Sequence, residues 1–358
     1  MSIVKPNDPI TVSNKKIGNN EKVFVIAEAA CNHMCNMDFA KSMIDHAAEA
    51  GASAIKFQTY KAERLVTEKA EAYWGDETST QLEYYKKLDK FDEKEYRELF
   101  DYAQKKGIIG FSSPFDIESA DMLNNLGMEL FKLASCEINN LSLLEHVAKF
   151  KKPIILSTGA STIEEIGDAV ETILNQDNPN IILLACTLSY PTENEHANLN
   201  RVTTLKERYP GMIIGLSDHT RPDNNMIIPA LAVAMGARVI EKHYTLNRDW
   251  EGSGHFFSIQ PEDLKEMVDN INLAVTVLGT KQLGVTPQEK KSIIGARKSI
   301  VAAVPIAIGT VITKEMLTLK RPGIGLPPGK LDEILGRKAS IDIDHDSIIN
   351  ESMLENEL

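Results

Sequence analysis

Two lysines, two histidines, a glutamate and several hydroxyls stand at or near the ends of successive short apolar runs in this chain. The runs are VFVIAE ending at Glu28, ASAIKFQ with Lys56 and Gln58, IIGFSS with Ser112 and Ser113, ELFKLAS with Lys132 and Ser135, PIILSTG with Ser157 and Thr158, IILLACT ending at Thr187, MIIGLSDH with Ser217 and His219, and ARVIEKH ending at His243. Ammonium groups flanked by serine hydroxyls suit a phosphate or a carboxylate, because lysine brings a compact charge and the hydroxyls bring oriented donors. Two imidazoles can hold a divalent metal through neutral ring nitrogens. An anionic substrate and a metal are implied together.

For these groups to meet, the runs must be elements whose ends converge. Short β-branched runs alternating with helical patterns read as buried parallel strands of βαβ units. Eight of them predict an α/β fold, a (β/α)8 TIM barrel, in which the carboxyl ends of all strands gather at one face. The intervening segments SMIDHAAEAG, ESADMLNNLG, SLLEHVAKF, IEEIGDAVETILN, RVTTLKERYP and NNMIIPALAVAMG carry apolar faces at helical spacing. Taken singly, each candidate has a plainer alternative: a solvated lysine, a hydrogen-bonded structural histidine, a Glu28 that caps the next helix. The joint pattern, with polar groups at the same end of successive strands, favours a site.

The 358 residues exceed one ordinary domain and fit a barrel of about 250 residues with a module of about 60 to 70. The net charge of −12 argues against nucleic acid or an anionic membrane as partner, so local lysines must draw any anionic substrate against the overall field. No apolar run reaches the length of a membrane span, and MSIVKPNDPI lacks a signal-peptide core, which makes the expected location cytoplasmic. Cys31, Cys35, Cys136 and Cys186 are too few for a disulfide framework, and the Cys31/Cys35 pair beside His33 lacks the further ligands of a zinc site.

Residues 1–283 are read as the barrel domain, with PITVSNKKIG closing its bottom. The long connection after Lys56 carries Tyr73, Trp74, Tyr84 and Tyr85 and reads either as a lid or as an ordinary packed insertion. Residues 284–296 are polar and read as a linker, and 297–358 as a compact second module of short β-like pieces and Gly/Pro turns. That module has no catalytic set of its own, so a capping or recognition role is expected. Its KRPGIG segment presents Arg321, whose fork suits sugar oxygens.

The segments IAEAACNH, IKFQT, FSSPFD, FKLASCEINN, PIILSTG, CTLSYPT, IGLSDHT, IEKHYTL and KRPGIG, spread over nearly the whole chain, resemble the sialic acid (N-acetylneuraminate) synthase family, which includes legionaminic and pseudaminic acid synthases. The second module resembles that family's antifreeze-like (SAF) domain, a β-clip. The resemblance implies a transferase that condenses phosphoenolpyruvate with an N-acetylated mannosamine-type sugar, giving a sialic or related nonulosonic acid and phosphate, with a manganese or magnesium ion. It assigns the metal to His219 and His243, catalysis to Glu28, Glu137, Lys56 and Lys132, and substrate contacts to Gln58, Ser113, Phe115, Ser135, Tyr190, Ser217 and Arg321. It also implies a domain-swapped homodimer in which Arg321 reaches the partner's acceptor.

Two departures from the family pattern stand out. Leu188 stands where a phosphate-side Asn or Ser is usual, and Gly252-Ser253-Gly254-His255 replaces Gly-Pro-Asp-His, which puts the acceptor's identity in question more than the chemistry. Rival readings are another phosphoenolpyruvate-condensing ulosonate synthase, a Schiff-base aldolase using Lys56 or Lys132, and a non-catalytic sugar-binding protein.

Overall fold

A computed structural model describes residues 8–72, 80–252 and 254–355. The chain divides into two compact units, residues 1–279 and 280–358. The first begins with a hairpin, β1 (Ile10–Val12) and β2 (Lys15–Ile17), paired with Ile10 opposite Ile17. Its alternation sends Ile10, Val12 and Ile17 into the barrel's apolar core while Thr11 and Lys16 face outward.

All the expected strands form. They are β3 (Phe24–Ala30), β4 (Ala54–Thr59), β5 (Ile109–Pro114), β6 (Phe131–Leu133), β7 (Ile154–Ser157), β8 (Ile181–Cys186), β9 (Ile213–Asp218) and β10 (Val239–His243). They close into a parallel barrel in sequence order, β10 pairing with β3. A strand covered on both faces has no reason to alternate, which is why VFVIA and IILLA are continuously apolar and buried. At Gly215 on β9 a Cβ atom would lie 2.3 Å from the Val239 carbonyl oxygen, so only glycine lets β9 and β10 approach there.

Helices hold the strands from outside. In Ile163–Leu174 Thr162 and Glu165 form a reciprocal capping box, and Ile166, Ala169, Val170 and Ile173 bury one stripe. The last barrel helix, Pro261–Leu278, starts with proline in its first turn, where no amide donor is needed. No helix of the described residues is long and apolar enough to cross a membrane.

Tyr73, Trp74 and Ser253 lie outside the described residues. Tyr84 and Tyr85 end the short helix Gln81–Tyr85 and pack with Tyr60, Phe115, Cys31 and Leu88 in a small satellite cluster. In the second unit, β11 (Ser299–Ala302) and β12 (Leu317–Lys320) pair antiparallel over a core of Ile300, Ile306, Ile312, Ile334, Ile343, Ile349 and Leu354. The polar stretch 284–296 holds more structure than its composition suggests. Thr286 and Glu289 cap each other, Lys290–Ala296 is helical, and Gly323 donates its amide to the Ile294 carbonyl at 2.8 Å.

Candidate active site

Strand register brings the candidate groups to one end of the barrel. Glu28 on β3 is the pairing partner of both Lys56 on β4 and His243 on β10, and Gln58 stands opposite Ser113. The Lys56 ammonium lies 2.6 Å from Glu28 Oε2 and donates to Ser113 Oγ at 3.2 Å. Gln58 Nε2 donates to Glu28 Oε1 at 3.4 Å. Lys132, on β6, donates to the Leu133 carbonyl at 3.1 Å.

A residue that strand-end reading passes over completes this cluster. Glu241 accepts from Ser217 Oγ at 3.0 Å, and its Oε1 lies 3.7 Å from Lys56 Nζ and 3.9 Å from Lys132 Nζ. The signal was available: two residues before His243 on one strand means the same face. The four charges are almost wholly sealed from solvent, with Glu28 1% and Lys132 2% exposed.

Burial raises the Glu28 carboxyl to about 7 in spite of the neighbouring Lys56 ammonium. Burial acts on Glu241 too, but the ammoniums of Lys132 and Lys56 and the Ser217 hydroxyl hold it below the ordinary carboxylate value. Burial lowers Lys132; for Lys56 burial is outweighed by Glu241 and Glu28, which raise it. Two carboxyls are thus pushed apart, one kept as an anion and one able to exchange a proton near neutrality. With Glu28 protonated the four groups carry one net positive charge, and with Glu28 ionised none.

The two histidines stand beside this cluster with ring centroids 5.3 Å apart. His219 Nδ1 lies 2.9 Å from the Thr187 carbonyl and 3.7 Å from Cys186 Sγ. The carbonyl requires a donor at Nδ1, which in the neutral ring leaves Nε2 as the free lone pair. Burial opposes a charge on His219 but is outweighed by Cys186 and Thr187, which raise its pKa; burial and the cationic neighbours hold His243 well below its ordinary value. His243 Nδ1 is buried without a hydrogen-bond partner. Among the described residues no group of three or more His, Cys, Asp or Glu gathers as a closed metal centre. The donor set fits an open site, two imidazoles with other positions left to water or substrate.

Four further candidates, Tyr190, Ser135, Glu137 and Phe115, stand on the barrel. The Tyr190 ring is 4.3 Å from His219 and 5.7 Å from His243. Ser135 accepts the Gly159 amide at 2.9 Å. Glu137 is turned toward Asn140, which donates to its Oε2 at 2.8 Å, and burial raises its carboxyl. Phe115 packs on Tyr60 at 5.9 Å, at the ends of β5 and β4. Arg321 is an exposed residue of the second unit, just after β12. Ser189, next to Leu188, spends its hydroxyl on the Pro191 carbonyl at 3.0 Å and does not replace a missing polar group. At Gly254 a Cβ atom would come within 2.9 Å of the Phe257 ring, which itself packs 4.9 Å from His243. The absence of a side chain there lets an aromatic edge close on the histidine pair.

Residues 43–283 match the model of the NeuB family, and residues 297–355 match the SAF domain. The chain belongs to the NeuB family. A relative from Campylobacter jejuni, N,N'-diacetyllegionaminic acid synthase, is 38% identical over 92% of this chain and the whole of that protein. The human N-acetylneuraminate-9-phosphate synthase is 34% identical over 95% of this chain and 94% of that one. Among solved structures, the sialic acid synthetase of Leptospira borgpetersenii, in complex with citrate, superposes with a TM-score of 0.73 at 39% identity, over 80% of this chain and 95% of that one. The NeuB match falls mainly on the first compact unit and the SAF match on the second.

Proposed function

We propose that this protein condenses phosphoenolpyruvate with the open-chain aldehyde of an N-acetylated mannosamine-type sugar, releasing phosphate and a nonulosonic acid of the sialic acid kind. The observation that carries the reading is the sealed cluster of Lys56, Lys132, Glu28 and Glu241 beside the His219/His243 pair at one face of the barrel. The names of the relatives support the same chemistry. Lys56 and Lys132, with the Ser113, Ser135 and Ser217 hydroxyls, bind the phosphate and carboxylate of phosphoenolpyruvate. His219 and His243 would hold a manganese or magnesium ion, which when bound supplies Lewis-acid polarisation of the acceptor aldehyde. Gln58, Phe115 and Tyr190 line the acceptor side, and Glu137 joins Glu28 as the second catalytic glutamate.

Carbon 3 of phosphoenolpyruvate forms the new bond to the aldehyde carbon, and the aldehyde oxygen takes a proton. Water adds at carbon 2 and loses one proton; the carbon 2 hydroxyl then collapses to the keto group, losing its remaining proton, as the bond between carbon 2 and the bridging oxygen breaks and that electron pair leaves with phosphate. Ionised Glu28 faces the positive charge that develops at carbon 2 and can take the proton of the incoming water. We further propose that Arg321 completes the acceptor site of a second copy in a swapped homodimer.

One observation favours a second reading. Burial lowers Lys132, and a Schiff base needs a lysine in its free-amine form. Borohydride treatment in the presence of pyruvate separates the two. A covalent adduct on Lys132 supports an aldolase, whereas no adduct together with acceptor-dependent phosphate release supports the synthase.

A further inference from the structure

Directly behind the histidines, on the opposite face of the same strands, sits a second buried ion pair. Lys242 and Asp218 are register partners on β10 and β9, each immediately preceding a histidine, and they are 2% and 4% exposed. Lys242 Nζ lies 2.5 Å from Asp218 Oδ2 and donates also to the Thr220 carbonyl at 2.7 Å and to Thr220 Oγ1 at 3.1 Å. Asp218 Oδ1 accepts from the Thr220 amide at 2.9 Å and from Thr220 Oγ1 at 2.8 Å. All three ammonium protons are used and both carboxylate oxygens accept. The His219 backbone is held between two anchored residues, and its carbonyl accepts the Thr192 amide at 2.9 Å.

A sealed ion pair contributes little to stability compared with apolar residues of the same volume, so its presence calls for another physical reason. Wrapping the 218–220 turn around a β10 side chain fixes one histidine relative to the other. We propose that Lys242, Asp218 and Thr220 form a positioning clamp that sets the spacing and orientation of His219 and His243, and with it the affinity of the pair for a divalent cation. This rests on reading the two histidines as metal ligands. Groups hydrogen-bonded directly to a ligating imidazole typically govern affinity by about 10- to 100-fold, and a clamp that acts through the backbone stands at the low end of that range.

The test measures Mn2+ binding by electron paramagnetic resonance without substrates, alongside thermal unfolding. Lys242→Met alone leaves a buried unpaired carboxylate, so the main variant is Asp218→Asn with Lys242→Met, which removes both charges and keeps an acceptor for Thr220. Thr220→Val, which keeps the ion pair and loses only the hydroxyl link, guards against a double variant that fails to fold. The clamp predicts Mn2+ affinity weakened about tenfold or more in the double variant and a few-fold in Thr220→Val, both folded near the wild-type melting temperature. A purely structural role would lower the melting temperature and leave Mn2+ affinity unchanged, and wild-type affinity in whichever variants fold overturns the clamp. Absence of Mn2+ binding in the unsubstituted protein would instead overturn the metal reading, and with it the clamp.

Discussion

Replacing Glu241 by glutamine removes a carboxylate that stands 3.7 Å from Lys56 and 3.9 Å from Lys132. At these separations each attraction amounts to about 4 kcal/mol for an effective dielectric constant of about 20. Lys56 keeps Glu28 at 2.6 Å and stays charged. Lys132, already lowered by burial, loses its main opposing partner and drops further. As pH rises its amine then gives up its proton earlier than in the wild type, and a charge-assisted contact to the anion worth about 1.5–3 kcal/mol goes with it. Where Lys132 remains protonated, the missing carboxylate no longer repels the substrate, so binding there is equal or tighter. The assay is initial-rate phosphate release with phosphoenolpyruvate varied, from about pH 6 to about pH 9. The ratio of variant to wild-type KM should climb from near or below one at the acid end to about tenfold or more at the alkaline end. A ratio constant across that range would refute the electrostatic coupling.

Three further outcomes test the proposed function. His219→Ala and His243→Ala should each lower kcat by about 100-fold or more, and chelation of the unsubstituted protein should do the same reversibly with manganese, since either loss leaves a single imidazole donor. Retained turnover in either variant would remove the metal assignment. Glu28 has a folded value near 7 against an ordinary 4.5, so its contribution to stability is fully present below about 4.5 and lost as pH rises through about 7; Glu28→Gln should therefore gain up to about 3 kcal/mol relative to wild type above pH 7, read by denaturant unfolding, while losing the kcat/KM limb that rises through that pH. A mixed dimer of an Arg321→Ala chain with a Lys132→Ala chain should regain about a quarter to a half of the activity missing from either homodimer, because one composite site is then intact; no recovery in verified heterodimers would refute the swapped arrangement.

The barrel strands were legible because strands buried on both faces must be continuously apolar, and ASAIKFQ or IILLACT between helical patterns leaves few other readings. Convergence of Glu28, Lys56, Lys132, Ser217, His219 and His243 followed from topology alone. What strand ends do not show is what lies one alternation behind them. Glu241 sits inside the run ARVIEKH and reads locally as one polar residue in a strand; only closure of the barrel sets it between two lysines from β4 and β6. Lys242 and Asp218 are equally mute, since a lysine and an aspartate far apart in sequence look solvated until the β9–β10 register makes them partners. In the second unit the Thr286/Glu289 capping pair was a readable helix start, hidden by the polar composition around it. The turn of Glu137 toward Asn140 is a local side-chain choice that motif matching cannot see.

The account stands most directly on whether the two substrates are joined at this site. The deciding measurement incubates the protein and a divalent metal with phosphoenolpyruvate labelled with 18O at the bridging oxygen, and a panel of N-acetylmannosamine and its deoxy and diacetamido analogues, with products read by mass spectrometry. The expected result is an acid carrying three added carbons, one equivalent of phosphate containing the label, and no phosphate release without acceptor. Because Gly254 lets Phe257 close on His243, an altered analogue should outrun N-acetylmannosamine in kcat/KM. Acceptor-independent phosphate release, or label retained in the carbon product, would contradict the proposed condensation.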